Sequence, residues 1–237
     1  MYRNLASENY LNKEAVFVVS YFFIYILLIA IFPGLESANW ISLVFLPLLL
    51  IYVHQKKNST QNSFILSLAS FGIKKYNLGR GILLSLFLGI ISAFLIMLFA
   101  ITNGKIYFHE INPGLLLYLP IALLFILLTT AILEEFFFRA ILQSRIERLL
   151  KRKYAAIFIS SVLFGLYYLA FYYVNQNLVQ YNYTHISLIT AYGHGMFVGL
   201  ISGYLYTKTE ENLIASILYN SLCSSIVTTV YFQQYFF

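Results

Sequence analysis

The chain has 237 residues, of which 60% are hydrophobic, 19% are aromatic and only 10% are charged. Soluble globular domains carry about 25% charged residues, so this composition excludes an ordinary soluble protein and indicates an integral membrane protein. The net charge of +6 comes from basic residues between the apolar segments, without the aromatic and basic surface that binds nucleic acid. We therefore expect the lipid bilayer as a partner, and no nucleic acid.

Seven apolar segments are candidates for membrane spans, given that a span needs about 20 apolar residues. They lie near 16–33, 38–53, 80–101, 115–142, 155–174, 186–206 and 213–232. The second is short and contains Pro47, which leaves open whether it spans the bilayer or re-enters it. The predicted fold is an all-α polytopic transmembrane helix bundle of about seven spans, with residues 1–237 forming a single membrane domain.

The basic residues orient this bundle, because loops rich in Lys and Arg remain in the cytoplasm. With seven spans, 14 of the 15 Lys and Arg residues lie on one side, and Lys105 alone lies on the other. If segment 38–53 does not span, the division becomes 12 against 3 and the end bearing Arg139 is still cytoplasmic. We therefore predict a multi-pass protein of the cell membrane, with 143–153 as a cytoplasmic loop that contacts anionic headgroups.

A pair of glutamates lies in the fourth segment, directly after the uncharged stretch 115–133. A carboxylate in hydrocarbon costs at least about 2.5 kcal/mol, and such groups are usually functional. Residues four apart share a helix face, so Glu135 should pair with Arg139. Glu134 has phenylalanines at the corresponding positions and is expected to face a cavity without a partner on its own helix. Such a carboxylate suits a general base acting on water; the alternative is an ion pair at a helix end without chemistry.

The later spans carry small and polar residues that predict packing rather than chemistry. Gly195, Gly199 and Gly203 recur every four residues, a spacing that lets two helices approach closely. Three serines near the end of the chain are expected to form helix–helix hydrogen bonds: Ser221, Ser224 and Ser225. The 22 Phe and 21 Tyr residues are expected mainly at lipid-facing and interfacial positions. His194 is predicted to lie near the external face, far from Glu134.

The motif Glu134-Glu135-x-x-x-Arg139 resembles the first signature of the CPBP (Abi) family. This family consists of multi-pass membrane endopeptidases and includes the type II CAAX prenyl proteases. Its second signature, Phe-x-x-x-His, is similar to the segment 164–169, which has Tyr168 in place of the histidine.

The third signature of that family is a histidine followed four residues later by Asn or a similar small residue. The segment 216–224 looks similar, with Asn220 at the histidine position and Ser224 at the later one. The segment 203–209 also looks like the family's link between its last two spans, so the resemblance covers a core of about residues 80–232. In the family the two histidines and the later Asn complete the site with the first glutamate, and whether they hold a metal or bind the reacting carbonyl is left open.

The resemblance implies an endopeptidase that cleaves CAAX-like prenylated peptides, or other peptide or membrane-protein substrates, on the cytoplasmic side. The implied site residues are Glu134, Glu135, Arg139, Tyr168 and Asn220. Glu134 would activate water, while Tyr168 and Asn220 would donate hydrogen bonds to the carbonyl oxygen. No cofactor is expected, and zinc is not expected, because zinc sites normally use at least about three Cys, His or carboxylate ligands.

Two other functions remain open from the sequence. The first is a catalytically inactive pseudo-protease that keeps the fold and binds membrane peptides or partner helices in the same cavity. The second is a small transporter, for which a buried carboxylate is also typical. The transporter is disfavoured, because the paired broken helices of many transporters are not seen in the sequence.

Overall fold

The computed structural model describes residues 2–32, 40–49, 78–102, 114, 117–179 and 185–236, and these contain helices and no strand. Helix α4 combines α-helical and π-helical turns, and α2 is a π-helix. The helices are α1 (Tyr2–Ile31), α2 (Trp40–Phe45), α3 (Leu78–Thr102), α4 (Leu119–Leu150), α5 (Lys153–Val179), α6 (His185–Lys208) and α7 (Leu213–Phe236). The chain therefore folds as an all-α polytopic helix bundle, as predicted.

Six of these helices are long and apolar enough to cross a membrane: Lys13–Ile31, Leu78–Thr102, Leu119–Leu150, Lys153–Tyr173, Leu188–Lys208 and Leu213–Val230. Five of the six predicted counterparts agree to within a few residues at both ends. The structure describes only residues 40–49 of the predicted second span, so its crossing of the bilayer stays a prediction. The single domain over 1–237 likewise stays a prediction.

Helix α4 is longer than the sequence indicated, and the prediction of a loop over 143–153 is wrong. The helix continues to Leu150 and stops at Lys151, whose φ of 53° is left-handed; α5 begins at Lys153. The extra turns are helical because their polar side chains find partners inside the bundle. Gln143 donates to the Gly203 carbonyl at 3.3 Å, and the Arg145 Nε lies 3.9 Å from Glu14 Oε2 on α1.

The glutamate pair lies on a short α-helical stretch of α4 between two π-helical stretches. The α-helical stretch is Ile132–Glu135, preceded by the π-helix Leu127–Ala131 and followed by the π-helix Phe136–Gln143. A π turn adds a residue to the helical turn and occurs often at functional sites. The two π stretches thus change which faces of α4 the side chains occupy on either side of the pair.

Helices α5 and α6 approach closely at the predicted glycine positions. A Cβ added at Gly195 would lie 2.9 Å from the Tyr168 Cβ, and one at Gly199 would lie 3.1 Å from the Ser161 Cα. At Gly203 the nearest atom would be the Gln143 Oε1 at 2.7 Å. The expectation of tight packing at all three glycines is confirmed.

A cluster of aromatic side chains from α4, α5 and α1 lies in the core. Phe137, Phe138 and Phe164 are fully buried, and the rings of Phe138 and Phe164 are 4.6 Å apart. Phe22 on α1 lies 5.6 Å from the Phe138 ring. The expectation that the aromatics are mainly lipid-facing and interfacial is wrong for this cluster, because α1 covers the face of α4 that carries the phenylalanines.

Helix α7 is held against α3 through small residues on α3. Ser85 donates to the Ala215 carbonyl at 2.6 Å, and Tyr219 donates to the Ser92 hydroxyl at 3.1 Å. A Cβ at Gly89 would lie 3.1 Å from the Leu222 side chain. These contacts fix α7, the helix that carries Asn220, relative to the rest of the bundle.

Candidate active site

Glu135 and Arg139 form the pair predicted from their spacing. The Arg139 Nε lies 3.1 Å from the Glu135 Oε2, and both side chains are fully buried. Ser202 on α6 donates a short hydrogen bond to the same carboxylate oxygen and accepts one from the Arg139 Nε at 3.2 Å. Both members of the pair therefore have a further partner inside the bundle, as a buried charge requires, while the buried Arg139 Nη2 has no hydrogen-bond partner among the described residues.

The Arg139 guanidinium extends this contact into a network that joins three helices. Its Nη1 donates to Ser160 on α5 at 3.1 Å and to Gln143 at 3.4 Å. Gln143 in turn donates to Thr207 on α6 at 3.2 Å. Gln143, Ser160 and Ser202 were not predicted from the sequence as part of the site. Only Gln143, four residues after Arg139, carried a local spacing signal that could have revealed it.

Glu134 accepts hydrogen bonds from two other helices, at one of its two oxygens. Tyr168 on α5 donates its hydroxyl to the Glu134 Oε2 at 3.2 Å. Asn220 on α7 donates its Nδ2 to the same oxygen at 3.1 Å. The structure thus brings together the three residues for which the sequence proposed a common site.

The other oxygen of Glu134 is the accessible one. Its Oε1 accepts no hydrogen bond from the described residues, yet it is not among their buried unpartnered atoms. Glu134 is 5% exposed, so this small exposure includes the Oε1. One carboxylate oxygen is held by two donors, and the other is left open to a small molecule such as water.

The Asn220 amide bridges the two glutamates. Besides its bond to Glu134, its Nδ2 lies 3.1 Å from the Glu135 Oε1, and its Oδ1 accepts from the Ser224 hydroxyl at 3.0 Å. Ser224 thus bonds within α7, and Ser221 and Ser225 donate to carbonyls of the same helix. The prediction that these three serines form hydrogen bonds between helices is therefore wrong. Ser224 instead fixes the orientation of the Asn220 amide.

His194 lies much closer to the site than its position in the sequence indicated. Its ring is 5.6 Å from the ring of Tyr168, whose hydroxyl contacts Glu134. The adjacent Gly195 leaves the room that Tyr168 occupies against α6. The prediction that His194 lies far from Glu134 is wrong, because α6 crosses α5 at the depth of Tyr168.

The side chains near Glu134 can be compared with a metal-ligand set. No three His, Cys, Asp or Glu side chains of the described residues lie together as metal ligands, and positions 168 and 220 offer a hydroxyl and an amide. A separate cavity of about 260 Å³ contains none of the candidate residues. It is lined by Ser144, Glu147, Arg148, Lys151, Lys153 and Glu211, where α4 ends and α5 begins.

The part of the chain that builds this site matches a known family. Residues 116–226 match the model of the family described as type II CAAX prenyl endopeptidase Rce1-like. A search of curated proteins found no match. A search of solved structures found none either. The matched segment contains all five candidate residues, and this match agrees with the resemblance of the chain to the CPBP (Abi) family.

Proposed function

We propose that this protein is a membrane endopeptidase in which Glu134 is the general base. The observation that carries the proposal is the asymmetry of the Glu134 carboxylate, whose Oε2 accepts from Tyr168 and Asn220 while its Oε1 stays open. A base must be oriented by neighbouring groups and must still reach the proton that it removes. The Rce1-like match over residues 116–226 supports the same class of reaction.

In this proposal a water molecule on the Glu134 Oε1 attacks the peptide carbonyl carbon. The carboxylate takes one proton from the water as the new C–O bond forms, and the carbonyl electron pair moves to its oxygen. The pair returns as the C–N bond breaks, and Glu134 passes its proton to the leaving nitrogen. The network of Glu135 and Arg139 holds α4 in position but does not touch the reacting atoms.

Tyr168 and Asn220 orient the base in the resting site. The single hydroxyl hydrogen of Tyr168 points to Glu134, and the Nδ2 of Asn220 serves both glutamates. The carbonyl-binding role proposed for them from the sequence would require these bonds to exchange when a peptide binds. Both residues remain proposed site residues, with orientation of Glu134 as the role that the contacts support.

The proposed substrate is a CAAX-like prenylated peptide or another peptide near the membrane. The family description names CAAX prenyl endopeptidases, and the bundle fits a bilayer environment. The distribution of basic residues supports cleavage on the cytoplasmic side. We further propose that the reaction needs no metal, because the side chains around Glu134 do not supply a zinc ligand set.

A non-catalytic peptide- or helix-binding protein is the second candidate. Asn220 is only 1% exposed. Its Nδ2 already donates to both glutamates, and the Tyr168 hydroxyl already donates to Glu134. Such a closed polar cluster is also what a pseudo-protease would retain if it bound peptides without cleaving them. The two candidates differ in whether the Glu134 Oε1 performs chemistry.

Purified protein in lipid nanodiscs separates the two candidates. It would be offered a quenched fluorescent prenylated CAAX peptide, with Glu134→Gln as the test variant and the exposed Glu210→Gln as the matched control. We expect Glu134→Gln to lower kcat at least about 100-fold and Glu210→Gln to leave it unchanged. Cleavage that persists in Glu134→Gln would rule out Glu134 as the base, and peptide binding without cleavage by the wild type would favour the pseudo-protease.

The same assay tests the metal-free proposal. Treatment with 1,10-phenanthroline should leave the rate of cleavage unchanged, and metal analysis of the purified protein should show no stoichiometric zinc. A rate that falls with the chelator and returns on addition of zinc would contradict the metal-free proposal. The role of Glu134 would still be decided by the Glu134→Gln variant.

A further inference from the structure

We propose that His194 is a further catalytic residue, which donates its ring N–H to the carbonyl oxygen of the bound peptide. This inference rests on the proposed endopeptidase function and supplies a contact that the resting site lacks. The reaction needs a donor at the carbonyl oxygen, where negative charge develops as water adds. The Tyr168 hydroxyl and the Asn220 amide are already bonded to the glutamates.

His194 lies directly beside Tyr168. Its ring packs against the Tyr168 ring at 5.6 Å with an interplanar angle of 43°. The Tyr168 hydroxyl lies 3.2 Å from the Glu134 Oε2, so one side chain separates the imidazole from the base. This contact depends on Gly195, where a Cβ would come within 2.9 Å of Tyr168. Gly195 therefore sets the distance between the backbone beside His194 and the site.

The ring nitrogens of His194 are available to a ligand. Within the described residues neither nitrogen forms a hydrogen bond, and neither is among the buried unpartnered atoms. His194 is itself half-buried. The ring nitrogens are thus accessible beside Tyr168, and they have no hydrogen-bond partner among the described residues. Such a polar group can bind a ligand without first breaking a hydrogen bond within the protein.

The chemistry of imidazole fits the missing contact. A neutral imidazole carries one N–H donor, and the peptide carbonyl oxygen needs a donor as the water adds. His194 would give a hydrogen bond and neither gain nor lose a proton, so the proton path from water to Glu134 to the leaving nitrogen is unchanged. Loss of one such donor lowers kcat by about 100- to 1,000-fold in other acyl-transfer enzymes.

Two substitutions at position 194 test the proposal in the full-length protein in nanodiscs. His194→Phe keeps a ring against Tyr168 and removes the donor, whereas His194→Gln offers an amide N–H in its place. We expect His194→Phe to lower kcat about 100-fold with KM within about threefold of the wild type, and His194→Gln to recover part of the loss. Tyr192→Phe is the control, since Tyr192 lies on the same helix and packs against Gly165.

The outcomes separate this inference from the proposed function. If the wild type cleaves, Glu134→Gln does not, and His194→Phe stays within about twofold of the wild-type kcat, the His194 role is overturned and the endopeptidase stands. Loss of activity together with a lower thermal unfolding midpoint in His194→Phe, without partial recovery in His194→Gln, would also overturn it by showing a structural role.

A binding measurement covers the case in which the wild type does not cleave. Calorimetric titration of the same prenylated peptide into wild type and His194→Phe then reports on the carbonyl contact directly. Affinity weaker by about fivefold in His194→Phe, equivalent to one ordinary hydrogen bond, supports the contact although the proposed endopeptidase has failed. Equal affinities, or no binding by either protein, would overturn the role of His194.

Discussion

Asn220 places one amide between two carboxylates that follow each other in the sequence. Two adjacent carboxylates repel each other when both are charged, and burial strengthens that repulsion. The Asn220 Nδ2 lies 3.1 Å from an oxygen of each glutamate, and Arg139 lies against Glu135 on the side away from this amide. The amide and the guanidinium together allow the pair to remain in the interior. Each of the two glutamates depends on donors from helices other than α4.

Removal of the guanidinium should expose this dependence. Arg139→Met leaves Glu135 buried without its cation, and breaking a buried pair in this way costs about 3–5 kcal/mol. We expect a loss of that size in the free energy of unfolding, measured by titration with denaturing detergent in mixed micelles. The exposed Lys208→Met removes one positive charge at the end of α6 and should change little.

A double variant shows whether the loss of stability comes from the unpaired charge of the Glu135 carboxylate. Glu135→Gln combined with Arg139→Met should be more stable than Arg139→Met alone, because the uncompensated charge is gone. If both variants lose the same free energy, the cost of Arg139→Met reflects lost packing of a large side chain and the charge argument is wrong.

At the scale of the helices, the α5–α6 contact depends on positions where a side chain would not fit. A Cβ at Gly165 would lie 2.9 Å from both the ring and the carbonyl oxygen of Tyr192, while a Cβ at Gly193 would meet nothing within 4 Å. These two glycines therefore form a matched pair, one at the packed contact and one beside it.

Alanine at the two positions should have opposite effects. Gly165→Ala must push a backbone carbonyl away and should lower stability by about 1–3 kcal/mol, as overpacked sites do. Gly193→Ala should leave stability unchanged or raise it by up to about 1 kcal/mol, because alanine favours the helix. Thermal unfolding in the same micelles measures both, and equal midpoints would show that the bundle adjusts freely at the α5–α6 contact.

Local spacing and whole-bundle geometry explain which parts of the site were predictable. The Glu135–Arg139 pair follows from the four-residue spacing along one helix, so this contact could be predicted from the sequence. Ser160 and Ser202 are single polar residues on other helices, and nothing local relates them to Arg139. His194 was misplaced because its depth depends on where α6 crosses α5. The length of α4 was underestimated because Gln143 and Arg145 have partners on α6 and α1, which the sequence of α4 alone does not show.

At the scale of the molecule, the predicted orientation in the membrane has a direct test. Lys151 lies between α4 and α5, an end that the basic residues assign to the cytoplasm. Residue 182 lies outside the described residues, in a loop predicted to be external. The native Cys223 is fully buried, so cysteines introduced elsewhere should report without interference.

Labelling of intact cells with a membrane-impermeant maleimide distinguishes the two faces. We expect Asn182→Cys to react in intact cells, and Lys151→Cys to react only after the membrane is opened. The unmodified protein, with Cys223 alone, is the control and should not react in either case. The opposite pattern would move the proposed site to the external half of the bilayer.

The ion pair between Glu14 and Arg145 has a consequence for how the protein is made. Glu14 is 6% exposed and its Oε1 has no partner among the described residues, so Arg145 is the cation that balances it in the finished bundle. During synthesis α1 enters the membrane long before Arg145 has been translated. We therefore expect α1 to keep Glu14 at the aqueous boundary until α4 has been made and can dock on it.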